Sequence, residues 1–292
     1  MKKREHRFID RHPIAGSIIL GFLMLVIVQV FGETGEVISR LSGFRWPELI
    51  AIVFILAGGL LILAWYKHHF NPEFKGILTG GDFKLGMILC LPFIVYWIVT
   101  TIAMMIDHSF ELKTVSLEII KISIMAGVSE EIGFRHGVLS TLLRNRNKKE
   151  LIIRNCMISA IAFGLIHLLN ISMGADLLHT FSQVITAGSH GVFFAAIFVS
   201  CGNILPCIII HTVHDIFAIS TSTAVTDGGV VIGSMGFSDI VDIIACVAMA
   251  VYALKFYLSP EKLDRIVELW DHKWSKEEFK KTEGRETTAE EA

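Results

Sequence analysis

The chain has 292 residues, of which 53% are hydrophobic, with a mean hydropathy of +0.60 and a formal net charge of −2. Its apolar residues come in long blocks, which excludes an ordinary soluble domain, and its Lys and Arg are confined to the ends and a few loops, which leaves no patch for nucleic acid. The fold class expected is all-α: a polytopic protein embedded in a lipid bilayer.

Stretches long enough to cross about 30 Å of hydrocarbon fall at 14–31, 47–66, 83–106, 117–143, 151–169, 181–200, 204–222 and 237–258. These are eight windows. The first follows a basic arm and could pass for a signal peptide, but it is long and has no clear small-x-small cleavage site, so it reads as a retained span. Positive charge then sets orientation. Lys2, Lys3, Arg4, Arg7 and Arg11 precede the first span, Lys67 and Lys75 follow the second, and Arg144, Arg146, Lys148, Lys149 and Arg154 follow the fourth. Eight more basic residues flank or follow the eighth, whereas the opposite side holds only Arg40, Arg45 and Lys113. An even number of spans with both termini cytoplasmic satisfies every loop. The short loops point to a bacterial plasma membrane.

The fourth window contains SEEIGFRH, three charges within six residues where lipid demands apolar side chains. Charge at such depth usually faces a bundle interior and serves a function. Glu131 and Arg135 are four residues apart on one helix face and can neutralise each other. Glu130 is rotated by about 100° from Glu131 and has no arginine one turn on, so it is free for another task. A cluster that only locks helices together would need one acid, not two.

The fifth window ends with Phe163 and His167 one turn apart, alone a weak signal. The seventh carries His211 and Asp215 at i and i+4, spacing that lets the carboxylate orient or charge the imidazole, while His214 is expected on another face. A buried Asp needs a partner. Together, ionisable side chains on three helices predict a polar pocket between helices four, five and seven, equipped to activate water. The five cysteines, Cys90, Cys156, Cys201, Cys207 and Cys246, show no paired spacing and imply no disulfide framework. Beyond Ser259 and Pro260, which suit an N-cap and first turn, Leu263, Ile266, Val267, Trp270 and Trp274 recur at helical spacing. That pattern reads as an amphipathic helix on the cytoplasmic leaflet or a solvated helix fraying into a Glu-rich end.

The motifs EExxxR at Glu130, Glu131 and Arg135, FxxxH at Phe163 and His167, and HxxxD at His211 and Asp215, in that order, resemble those of the CPBP intramembrane protease family. That family includes the CAAX prenyl endopeptidases and the bacteriocin-processing or immunity proteins of Abi type. The resemblance covers about 117–222. It implies that Glu130 and His167 activate the attacking water, that Glu131 and Arg135 hold the site together, and that His211 with Asp215 forms the oxyanion side. One departure is Asp215, where relatives often carry Asn: an amide donates to an oxyanion and an ionised carboxylate does not. Asp215 would then carry a proton or act by orienting His211. The resemblance favours catalysis without a cofactor. Zinc held by Glu130, His167 and His211 is the alternative, although no HExxH occurs.

The organisation expected is therefore an arm and three spans over 1–116, a catalytic core over 117–222, an eighth span over 223–258 and a cytoplasmic tail over 259–292. The function expected is cleavage of a peptide bond in a membrane-associated peptide or protein. A non-enzymatic immunity or scaffold protein and a proton-coupled transporter stay open, though no internal repeat of the kind many transporters show is present.

Overall fold

The computed structural model describes residues 8–70, 74–221 and 235–275; the arm residues Lys2, Lys3, Arg4 and Arg7, residue 222 and the end of the tail lie outside them. Its elements are helical throughout. A short turn α1 (Phe8–Arg11) leads into α2 (Pro13–Leu41) and α3 (Pro47–Phe70). The third window divides at Pro92 into α4 (Phe83–Leu89) and α5 (Pro92–Ile106), since a proline cannot donate to the turn before it. The fourth comprises α6 (Leu117–Glu131), a π-helix (Ile132–Ser140) and α7 (Thr141–Arg146); the fifth is α8 (Lys149–Ile166), ending in a 3-10 segment (His167–Met173). Then come α9 (Leu177–Cys201), α10 (Leu205–Thr221), α11 (Phe237–Phe256) and α12 (Pro260–Lys273).

Local chemistry fixes the ends of the helices that matter. Ser116 caps α6, accepting from Ile119 N at 3.2 Å, and Asp176 caps α9, accepting from Leu178 N and His179 N at 2.9 and 3.1 Å. Gly202, at φ +64°, closes α9 in the left-handed conformation that a helix end favours. The start of α11 is held by Asp107 at the end of α5, whose Oδ2 accepts from Ser238 N at 2.7 Å.

Among the described residues six helical stretches are long and apolar enough to cross a membrane: Pro13–Leu41, Pro47–Phe70, Phe83–Ile106, Lys149–Ser172, Leu177–Cys201 and Phe237–Phe256. The fourth and seventh of the eight expected windows are not among them. The fourth carries too much charge, and α10, at 17 residues, is short. Of the six, Leu177–Cys201 is 78% buried against 22–39% for the others, so α9 is the central post. Helices α2, α3, α5, α8 and α11 bury one face and expose Leu60, Leu61, Val95, Ile98 and Ile244 on the other, as a lipid-facing surface requires. Helix α2 crosses the π-helix at Gly21, Gly133 and Gly137. A Cβ on Gly137 would lie 2.5 Å from Gly21 Cα, so the backbones meet with nothing between them.

The tail corrects the sequence reading. Helix α12 does not lay its apolar face on lipid; Leu263, Ile266, Trp270 and Trp274 are buried against the protein. Trp270 Nε1 donates to Val199 O at 3.0 Å, Asn147 Nδ2 donates to Val267 O and Asp271 Oδ1 at 2.8 Å each, and Lys149 pairs with Asp264 at 2.6 Å. Lys273 is buried, donates from Nζ to Gly76 O (2.8 Å) and Thr79 O (3.1 Å), and burial pushes its amine down to about 8. An amphipathic face is satisfied by any apolar surface, and here the ends of α8 and α9 supply it.

Beneath α12 lies the turn 201–204, fully enclosed. Asp82 N donates to Cys201 O at 2.8 Å and Ile204 N to Ile77 O at 3.0 Å, so the segment before α4 forms a second layer over it. His211 is therefore deep despite standing only six residues into α10.

Candidate active site

Two consecutive glutamates on α6 go to different surroundings because each residue turns the helix by about 100°. Glu131 is fully buried, with Oε2 3.0 Å from Arg135 Nε and Oε1 2.8 Å from His211 Nδ1. Arg135 is equally buried, and its guanidinium lies 4.5 Å from the Phe163 ring centroid and 5.3 Å from that of Phe194. Among the described residues its two Nη atoms have no hydrogen-bond partner, so two aromatic faces take the place of acceptors. Glu130, its side chain 18% exposed, looks into a cavity of about 320 Å³.

The pairing of His211 fixes its tautomer. An ionised carboxylate only accepts, so Nδ1 carries the hydrogen toward Glu131 and Nε2 is turned to the cavity. There Nε2 stands 3.6 Å from Glu130 Oε2 and 3.7 Å from Asp215 Oδ2, ion-pair distances longer than a direct hydrogen bond. The expected pair of His211 with Asp215 is thus present at Nε2, and Glu131, from another helix, adds a shorter contact at Nδ1 that orients the ring. The ring is held flat against Phe194, stacked at 5.6 Å.

His167 sits where α8 tightens into the 3-10 segment. Its Nδ1 is 3.0 Å from Phe163 O, a carbonyl that can only accept, so Nδ1–H donates and Nε2 keeps its lone pair. Phe163 stands edge-on to both imidazoles, at 5.3 Å from His167 and 5.9 Å from His211. Glu130, His167, His211 and Asp215 all line the one cavity, while Glu131 and Arg135 are fully buried behind His211.

The cavity is wider than a pocket between three helices. Besides α6, α8 and α10, it is walled by Tyr96 of α5, Gln183 and His190 of α9, and Asp242 of α11. His214, expected on another face, lines it too: its Nδ1 accepts from Trp97 Nε1 at 3.3 Å, and its ring is 4.8 Å from that of His190. Tyr96 OH donates to Asp242 Oδ1 at 2.6 Å, and the Cys246 thiol is 3.4 Å from His190 Nε2. Sequence reasoning missed this wall, though Asp242 was a signal: an acid inside an apolar window needs a buried partner, and Tyr96 is that partner. Among the described residues no three His, Cys, Asp or Glu side chains converge so as to hold a metal ion.

Residues 113–217 match the family model described as type II CAAX prenyl endopeptidase Rce1-like. The match bears out the family read from the motifs, spans all three of them and leaves the first three windows, α11 and α12 outside. The matched family is one of proteases. No curated protein and no solved structure matches the chain significantly.

Proposed function

We propose that the chain is an intramembrane endopeptidase that cleaves a membrane-associated peptide or protein with a water activated by Glu130 and His167. The observation that carries this reading is the division of labour around His211: Glu131 takes its Nδ1, and Nε2 is left facing Glu130 across the cavity at 3.6 Å. Water held between the Glu130 carboxylate and the His167 Nε2 lone pair loses a proton to Glu130 as its oxygen attacks the scissile carbonyl. The tetrahedral oxyanion forms against His211, which in its protonated form presents an Nε2–H donor. Glu130 then returns the proton to the departing amine, so that one water and one peptide bond give an acid and an amine. Glu131 and Arg135 position; they do not touch substrate. Asp215, as a carboxylate, acts by holding the imidazolium and not by donating.

The mechanism needs no metal. A stable-isotope comparison of membrane peptidomes from cells expressing the wild type and Glu130→Gln tests it: fragments present only with the wild type are expected, and identical peptidomes would refute it. Activity lost to a chelator and restored by zinc would instead place a metal between Glu130 and the imidazoles.

A further inference from the structure

The cavity has a closed end and an open end, and the basic loops stand at the closed one. Behind its His211 wall is the fully buried pair Glu131 and Arg135. Below that lie the enclosed turn 201–204, the segment before α4 that bonds to it, and α12 with Trp270 locked to Val199. Around this end are Arg144, Arg146, Lys148, Lys149, Lys255, Lys262 and Arg265. In the other direction exposure rises, from none at Glu131 to 18% at the Glu130 side chain and 24% at that of Asp215. The lining continues to Asn170 and Gln183, which bond to each other at 2.8 Å beside the 174–176 turn, and to Ala218 and Ile219 near the end of α10. The acidic residues on that side include Asp107, Glu111, Asp176 and Asp239; of its cations, Arg40, Arg45, Lys113 and Lys121, Lys121 is paired with Glu36 at 2.6 Å and Glu118 at 2.8 Å, and Lys113 N donates to Ser220 O at the end of α10.

Basic residues close to spans are retained in the cytoplasm. We infer that the cavity opens on the non-cytoplasmic face, and that the substrate is a peptide segment lying on that side of the bilayer or drawn down from it, not a cytoplasmic chain end. The lining supports the second half, since among the described residues it includes the carboxyl groups of Glu130, Asp215 and Asp242 but no Lys or Arg to receive a free C-terminal carboxylate. The substrate half rests on the hydrolytic reading above; the direction of opening does not.

Single cysteines separate the two. The native thiols are all buried, so the wild type serves as the blank. Gln183→Cys reports on the cavity, Leu178→Cys, 58% exposed, on the first turn of α9 at the same end, and Lys148→Cys on the opposite face. A membrane-impermeant maleimide is applied to intact cells expressing the full chain and to inverted vesicles. Labelling of Gln183→Cys and Leu178→Cys in cells, with Lys148→Cys labelled only in inverted vesicles, is the expected result. Labelling of Gln183→Cys from the vesicle side alone overturns the inference, as does no labelling of it from either side while Leu178→Cys reacts. Ala218→Cys, a smaller change in the same wall, replaces Gln183→Cys should that variant fail to accumulate. New peptide termini dependent on Glu130 should map to non-cytoplasmic segments, and cytoplasmic termini overturn the substrate assignment. Peptidomes insensitive to Glu130→Gln would remove the hydrolysis and leave the labelling result standing.

Discussion

Glu130→Gln and Glu131→Gln, the same change at neighbouring positions, are expected to fail in opposite ways. Glu131 is the only carboxylate within 4 Å of the Arg135 guanidinium among the described residues, and both are fully buried. Gln at 131 keeps the shape and one acceptor for His211 but leaves Arg135 a buried charge with no counter-ion, a change that costs about 3–5 kcal/mol. At about 1.4 kcal/mol per decade that is roughly two to four orders of magnitude in the folding equilibrium. Glu130, partly exposed and with no direct side-chain hydrogen bond among the described residues, should change stability by about 0.5 kcal/mol or less. Its loss as general base should lower turnover by roughly a hundredfold or more. Denaturant unfolding in mild detergent, read by tryptophan fluorescence, gives the first quantity, and cleavage of a peptide identified from the peptidome gives the second. A double change of Glu131→Gln with Arg135→Met removes both charges and should recover much of the stability without recovering turnover. Equal destabilisation by the two single changes, or full activity in Glu130→Gln, would refute the separation of roles.

Three further outcomes follow from the packing. Trp270→Ala empties the largest fully buried side chain of α12 and strands the Val199 carbonyl, a loss of about 3–5 kcal/mol; limited proteolysis should then cut within 260–273, and unchanged resistance would show that docking does not depend on it. Gly137→Leu pushes a side chain into Gly21, which should prevent α2 from seating on the π-helix and abolish a monodisperse detergent-solubilised species on gel filtration. Lys273 has a folded value of about 8 against an ordinary 10.5, set by burial, so between these values the unfolded chain holds more protons and stability must rise with pH. Protection of α12 from protease should therefore improve between pH 7.5 and about 10, and Lys273→Met should flatten the response.

The fold and the core of the site were legible in the sequence to different depths, for physical reasons. Long apolar windows bounded by charge and turn residues located eight helical segments, because a bilayer leaves the backbone no alternative to internal hydrogen bonding. The i, i+4 spacings picked Glu131 with Arg135 and Phe163 with His167 correctly, since those contacts are made within one helix. The same logic brought Asp215 to His211, at 3.7 Å, but could not show that the carboxylate hydrogen-bonded to the ring comes from α6. It also misdirected His214 and left Tyr96 and Asp242 unread, because their surroundings are set by how α5, α9, α10 and α11 close around a shared space. Helical periodicity fixes which residues share a face and says nothing of which faces meet. The tail failed for the mirror reason: amphipathicity specifies that α12 has an apolar face and not whether lipid or protein covers it.

The π-helix ties these observations together. It begins directly after Glu131 and carries Arg135, the two Gly residues that meet α2, and Phe134, whose carbonyl is met by Ser159 Oγ of α8 at 2.7 Å. A π segment shifts backbone bonding from i→i+4 to i→i+5 and is commonly found at functional sites. Here its glycine face is anchored on α2 and one of its carbonyls is bonded across to α8, so Arg135 is fixed from two sides before it meets Glu131. Arg135 stands four residues from Glu131 and five from Glu130, so helical geometry pairs it with the former. The anchored segment holds that pairing in place, and Glu130 is left open to the cavity.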